Sequence, residues 1–249
     1  MEWQGKKYWL VGASDGLGLA LAQVLSTKGA EVVLSARSLS ALERAADLLP
    51  NKAHVLALDV ADGAAVRRAA QHLGPIDGVV YLAGVYWPMR AQEWQADQVE
   101  AMCDINFTGC ARVIGAVLPG MIARNQGHIV ITGSLSGFRG LPGAIGYAAS
   151  KSGVMALAES LYCDLRDSPI RVQLANPGFI KTRLTDKNDF AMPFMMTAPE
   201  AAAHIVDLME SRTFKVSFPT VFSWLFRLSQ FMPDWLYYPI FAPSAKKDA

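Results

Sequence analysis

Short apolar runs alternate with longer stretches of helical periodicity along most of the chain. The runs at 8–11, 32–35, 54–58, 78–82, 128–132, 171–175 and 214–218 are short and largely apolar, as expected of strands buried on both faces of a parallel sheet. The stretches at 18–28, 39–49, 64–73, 98–124 and 146–166 have helical length and amphipathic spacing. This alternation predicts an α/β fold of the Rossmann-like, doubly wound type: a mainly parallel seven-stranded sheet with helices on both faces. Ligands of such sheets bind beyond the carboxyl ends of the strands. No repeat, low-complexity tract or linker breaks the pattern, so one domain is expected over residues 1–249, with an apolar extension at 214–249.

Composition narrows the partners. The 249 residues carry 23 basic and 22 acidic side chains. No basic run precedes residue 246, which disfavours a nucleic-acid partner, because neutralising phosphates takes clustered Lys and Arg. Cys103, Cys110 and Cys163 lack metal-ligand spacing and suit a reduced setting. Cys103 and Cys110 read as small core residues of one helix. The first apolar run is shorter than a signal-peptide core and leads straight into a glycine turn, so a cytoplasmic location is expected.

That turn reads Gly12-Ala13-Ser14-Asp15-Gly16-Leu17-Gly18, between the first strand and the first helix. Gly12 permits a tight turn, Gly16 lets backbone approach a pyrophosphate, and Gly18 allows the helix to sit close on the strand. Ser14, Asp15 and Leu17 complete the loop that would face the anion at the helix N-terminus. The second strand ends at Ala36-Arg37-Ser38, where NAD-selective folds place an acidic residue on the ribose. A guanidinium at Arg37 suits a 2′-phosphate instead, favouring NADP(H) over NAD(H), although Asp15 works mildly against a phosphate. Asp59, next to Val60 after the third strand, either accepts from an adenine amino group or caps the following helix.

Tyr147 and Lys151 are four residues apart in the stretch 146–166 and therefore share one helix face. A phenol with its ordinary pKa near 10 is a poor acid or base at neutral pH. A neighbouring ammonium and an oxidised nicotinamide favour the phenolate and bring that pKa closer to use. Ser134, at the end of the fifth strand, is placed to hydrogen-bond a substrate carbonyl oxygen as charge develops on it. Ser136 competes for that role.

Together these residues resemble the short-chain dehydrogenase/reductase family in its form of about 250 residues, over roughly 5–212. The shared motifs are Gly12–Gly18, Asp59, Ala83-Gly84, Asn106, Ser134, Tyr147, Lys151, Asn176-Pro177-Gly178 and Thr182. The resemblance implies that Ser134, Tyr147 and Lys151 form the catalytic set. Asn106 would hold a water in a proton relay to Lys151, and its amide can stabilise a helix bend. Pro177, Gly178 and Thr182 would seat the nicotinamide, and a homodimer or homotetramer is implied. The chain departs from the family pattern at Tyr81-Leu82, where two amides are usual, and at Val11, where a threonine is common. The lost amides imply looser support for the cofactor loop and central strand.

After Thr182, the stretch 183–197 matches the family's mobile substrate lid, with Phe190, Met192, Phe194, Met195 and Met196 as its apolar members. With Trp87, Met89, Phe138 and Leu141 they predict a pocket for a small hydrophobic carbonyl or alcohol. The expected reaction is hydride transfer between NADP(H) and that carbon, with Tyr147 as general acid/base. A non-catalytic NADP(H)-binding sensor or scaffold is the rival reading, and intact Ser134, Tyr147 and Lys151 count against it. An epimerase or dehydratase on the same fold is usually longer. The tail from Val221 to Phe241 carries Phe222, Trp224, Phe226, Trp235, Tyr237, Tyr238 and Phe241 around Arg227, Pro233 and Asp234. It either covers the pocket or core, forms a subunit interface, or lies on a membrane surface with Lys246-Lys247 beside it.

Overall fold

The computed structural model describes residues 2–187 and 190–241. Lys246-Lys247 and the end of the 214–249 extension lie outside the described residues.

Seven parallel strands form one sheet in the order β3-β2-β1-β4-β5-β6-β7. They are β1 (Lys7–Val11), β2 (Glu31–Ala36), β3 (His54–Ala57), β4 (Gly78–Tyr81), β5 (Gly127–Thr132), β6 (Ile170–Pro177) and β7 (Lys215–Phe218). The reversal of strand order falls between β1 and β4, where open α/β sheets leave a crevice for ligands. On one face, α1 (Gly16–Thr27), α2 (Leu39–Asp47) and α7 (Ala198–Glu210) cover a core containing Leu10, Leu34, Val80 and Val130. On the other, α3 (Gly63–Leu73), α5 (Gly109–Ala123) and α6 (Ile145–Leu165) cover Trp9, Val33, Val79, Ile129 and Ile131. Alternate residues of the inner strands thus feed opposite cores, which is why those strands read as unbroken apolar runs.

Helix starts follow local chemistry. Asp15 caps α1, Ser38 caps α2 and Asp62 caps α3. Thr197 and Glu200 form a reciprocal capping box at α7.

The stretch 98–124 is not one regular helix. It divides into α4 (Ala96–Met102), a π-helical segment (Cys103–Thr108) and α5. The Asn106 side chain accepts from Val85 N at 2.7 Å and donates to Val85 O and Ser150 Oγ, both at 3.0 Å. Turning the buried amide inward in this way accompanies the wider helical register. Tyr81 donates its hydroxyl to Ile105 O in the same segment at 2.5 Å. A phenol therefore braces the end of the central strand where the family pattern has amides. By length and composition alone, Ala96–Ala123 could cross a membrane. Met102, Cys110, Val113 and Val117 are nonetheless buried, and most of them join the core under the sheet. Cys110 is buried as expected, but Cys103 is only half-buried.

The tail folds as α8 (Thr220–Ser229) and α9 (Asp234–Phe241). Arg139 holds the turn between them, donating to Ser229 O at 2.6 Å and Met232 O at 2.7 Å, pairing with Asp234, and lying 3.9 Å from the Tyr237 ring centre. Tyr237 in turn donates to Gly140 O at 2.8 Å.

His128, in β5, is 3% exposed, with Tyr8 Oη 2.8 Å from Nδ1 and Gln173 Oε1 2.8 Å from Nε2. This network suits a neutral ring donating from Nε2 to Gln173 and accepting from Tyr8. Burial, reinforced by the Arg171 charge, pushes its pKa down to about 3 from 6.5. Between those values the unfolded chain binds the proton and the folded chain does not, so stability falls as pH drops through this window. His128→Asn is expected to lower stability at neutral pH and to flatten its decline from pH 6.5 towards 4, as read from urea midpoints at several pH values.

Candidate active site

A cleft of about 530 Å³ lies at the carboxyl edge of the sheet. The turn after β1 enters it through two close approaches. Gly12 has φ +97°, and a Cβ there would stand 2.4 Å from Ala83 N. A Cβ on Gly18 would stand 2.1 Å from Gly12 O. Neither contact tolerates a side chain, since both neighbours are backbone. The turn therefore presses against the strand end at Ala83 and against its own helix, leaving the start of α1 open to the cleft.

All the expected cofactor residues line this cleft: Gly12, Ser14, Asp15, Gly16, Leu17, Gly18, Arg37, Asp59, Val60, Ala83, Gly84, Tyr147, Lys151, Pro177, Gly178 and Thr182. Asp59 does not cap α3. Its Oδ1 accepts from Ala61 N at 2.9 Å, whereas Asp62 accepts from Ala64 and Ala65 at the helix start. Arg37 is exposed and shares the rim with Ser38 and Arg44. Asp15 accepts from Gly16 N at 2.7 Å and pairs with Arg183 Nε at 2.5 Å. The acid inside the glycine turn is thus partly neutralised, which removes much of the objection to a phosphate nearby. Arg44, Arg183 and Thr185 also line the cleft and were not foreseen there; the last two fall in the stretch expected as the substrate lid.

The cradle fits a dinucleotide on this structure's own terms. It holds backbone too close for any Cβ, a helix N-terminus, and rim guanidiniums at Arg37 and Arg44. Thr132 Oγ1 is buried with no hydrogen-bond partner among the described residues, and Thr132 lines the same cleft.

A second, apolar pocket of about 410 Å³ adjoins the first. Ser134 and Tyr147 line both. Tyr147 is half-buried, with the Ser134 side chain near enough to act on its hydroxyl. Ser136 lines only the apolar pocket and donates its backbone N–H to Ser134 Oγ at 3.1 Å. Lys151 donates to Thr132 O at 2.9 Å, with Nζ 5.8 Å from the Tyr147 ring centre. Asn106 is not part of the cleft wall. Its Oδ1 and Lys151 Nζ lie 3.4 and 3.9 Å from the place a Gly84 Cβ would take, so the two approach each other across Gly84.

Desolvation, opposed by the Ser134 side chain and aided by Tyr86, raises the Tyr147 pKa to about 12. Burial lowers that of Lys151 to about 8 from 10.5, against a small opposing effect of Cys110. From the sequence, the neighbouring ammonium is expected to draw the phenol down. Within the chain itself desolvation is the larger effect, and Tyr147 is a protonated phenol at neutral pH. That is the form a proton donor needs.

The apolar wall differs from expectation in its members. Phe190 and Leu141 line it, with Tyr86, Phe179, Leu184, Phe222, Leu225 and Phe226. Met192, Phe194, Met195, Trp87, Met89 and Phe138 do not. Met196 instead joins the core beside α7, pulled there by the pairing of 196 with Ile180, and Phe194 packs on Phe222 at 5.5 Å. Tyr86, missed in the sequence, stands edge-on to Tyr147 at 5.0 Å.

Set against known proteins, this arrangement defines a nucleotide-dependent oxidoreductase fold. A sequence model of the short chain dehydrogenase family matches residues 6–192. The chain belongs to the short-chain dehydrogenase/reductase family, whose members take a nicotinamide cofactor. An uncharacterized oxidoreductase of Myxococcus xanthus is 35% identical over 245 residues, covering 96% of this chain and 95% of that protein. A 3-oxoacyl-(acyl-carrier-protein) reductase of Thermotoga maritima is 32% identical over 194 residues, covering 75% of this chain and 79% of that protein. The crystal structure of a short-chain dehydrogenase/reductase from Burkholderia phymatum in complex with NAD matches with a TM-score of 0.85 at 25% identity, over 93% of this chain and 95% of that one.

Two outcomes follow from this geometry. Gly18→Ala must open the turn at Gly12, so it is expected to lower the melting temperature and abolish dinucleotide binding, as measured by calorimetry. For Lys151, the unfolded state holds its proton between pH 8 and 10.5 while the folded state releases it, so its contribution to stability rises with pH across that window. Lys151→Met is expected to be more stable than wild type at pH 7, with the difference shrinking towards pH 10 in urea titrations.

Proposed function

We propose that the chain catalyses hydride transfer between NADP(H) and the carbonyl or alcohol carbon of a hydrophobic substrate. One observation carries this reading: Ser134 and Tyr147 stand where the polar dinucleotide cleft meets the apolar pocket and line both. A nicotinamide cofactor, when bound, supplies or accepts the hydride. The glycine turn and the start of α1 would hold its pyrophosphate, and Arg37 with Arg44 would face a 2′-phosphate. Pro177, Gly178 and Thr182 would seat the nicotinamide end, Ala83 and Gly84 would floor the cleft, and Asp59 with Val60 would flank the adenine.

At the junction, the substrate oxygen would accept hydrogen bonds from Ser134 and Tyr147, and Tyr147 would deliver its proton as negative charge builds there. The raised phenol pKa keeps that proton in place until the oxygen becomes basic. Lys151, held at Thr132 O, would stabilise the phenolate left behind. Asn106 would position this group by fixing Val85 and Ser150 around it, and through a water would pass the replacement proton towards Lys151. Phe179, Phe190, Leu141 and Phe222 exclude water and favour an apolar substrate. A sensor without turnover has no need for a phenol at the meeting point of two cavities, and the relatives' names as oxidoreductase and reductase support the enzymatic reading.

Purified protein is expected to consume NADPH with apolar aldehydes or ketones. Tyr147→Phe should lower turnover by about 10²–10⁴-fold while leaving NADPH binding within a few-fold. NADPH binding without turnover on any carbonyl would move the reading to the sensor. Arg37→Ala is expected to weaken NADPH by about tenfold or more and NADH little, read from the two KM values.

A further inference from the structure

The α8–α9 hairpin turns its apolar side outward. Val221, Trp224, Leu225 and Leu228 recur at three- and four-residue spacing on α8, and all four are exposed. Phe231 in the connecting turn is 85% exposed and Trp235 on α9 is 74% exposed. The opposite side is fixed: Phe222, Ser223 and Tyr237 are buried, and Arg139 clamps the turn through Ser229 O and Met232 O. An apolar stripe held outward by a polar clamp on its inner side calls for a partner.

We propose that this hairpin docks on the surface of a lipid bilayer. The charge pattern on the stripe fits that partner. Among residues 216–241 the only charged side chains are Arg227 and Asp234. The acid is taken up by Arg139, whereas Arg227 lies 4.5 Å over the Trp224 ring. A lone cation stacked on a tryptophan, among further exposed Trp and Tyr rings, is the chemistry of the headgroup layer, where aromatic rims and snorkelling Arg reside. The sequence beyond α9 adds Lys246 and Lys247 beside Asp248, two ammonium groups able to meet anionic headgroups. Continuity with the site also favours lipid over a second copy of the chain. Leu225 and Phe226 of α8 and Phe241 of α9 wall the apolar pocket. A bilayer on this face leaves an apolar molecule a path from lipid to pocket, while a second protein copy would cap it. The docking rests on the surface alone; the route to the pocket rests on the reductase reading above.

The full chain should be sedimented with vesicles of phosphatidylcholine and of an equimolar phosphatidylcholine–phosphatidylglycerol mixture, without cofactor or substrate, so that the outcome is independent of catalysis. Binding is expected to both, stronger to the anionic mixture, with a blue shift of tryptophan emission. The double variant Phe231→Glu/Trp235→Glu should lose about tenfold or more of its vesicle binding, with melting temperature and NADPH binding unchanged. Absence of binding by the wild type, or equal binding by the variant, overturns the proposal. A concentration-dependent dimer that the variant dissolves, without vesicle binding, assigns the stripe to a second copy and overturns it equally. Should the variant misfold, Leu228→Ser alone, scored by the same blue shift, decides the question.

Discussion

A single buried amide ties the working parts of this protein together. Asn106 reaches Val85 in both directions and Ser150 with its remaining donor. In doing so it joins three pieces: the loop after β4 that floors the cleft, the π-helical segment, and the α6 turn that carries Tyr147 and Lys151. A fully buried amide left without partners is costly, on the order of a few kcal/mol, so the three pieces cannot drift apart independently. Tyr81 adds a second tie, from the central strand to Ile105 in the same segment. The cost of departing from regular α-helix is local. Its return is a fixed distance between the cleft floor and the reacting helix.

Backbone approach at the glycine turn is the complementary constraint. Gly12 against Ala83 and Gly18 against Gly12 O allow strand, turn and helix to sit closer than any side chain permits. The turn's own acid, Asp15, is then used twice, as the cap of α1 and as the partner of Arg183 from the segment after β6. This second pairing draws the two banks of the cleft together. It also shows why charge read along a sequence can mislead: an aspartate that counts against an anion in isolation is offset by an arginine more than 160 residues away.

Burial sets the chemistry at the junction of the two cavities. The same desolvation that keeps the Tyr147 proton in place makes Lys151 easier to deprotonate, because each group resists carrying its charge away from water. Both effects come from the packing of α6 on the sheet, not from the spacing of the two residues along it.

The alternation of apolar runs and amphipathic stretches determined the sheet and its seven mainly parallel strands, because inner strands buried on both faces must be apolar throughout. The glycine turn and the Tyr147–Lys151 pair were legible for a related reason: local backbone geometry and helix spacing constrain them within a few residues, whereas the choice of Ser134 over Ser136 rested on the family resemblance. What only the tertiary structure decided depends on contacts between distant segments. Asn106 could be singled out in the sequence, but its bonds to Val85 and Ser150 could not, nor could the bond from the Tyr81 hydroxyl to Ile105 O. Asp59 read equally as an adenine acceptor or a helix cap until the fold gave the cap to Asp62. Met196 read as pocket lining but was taken into the core by its pairing with Ile180. The tail gave its apolar character to the sequence and its direction only to the fold, since which face of α8 meets water is fixed by Arg139, more than 80 residues earlier.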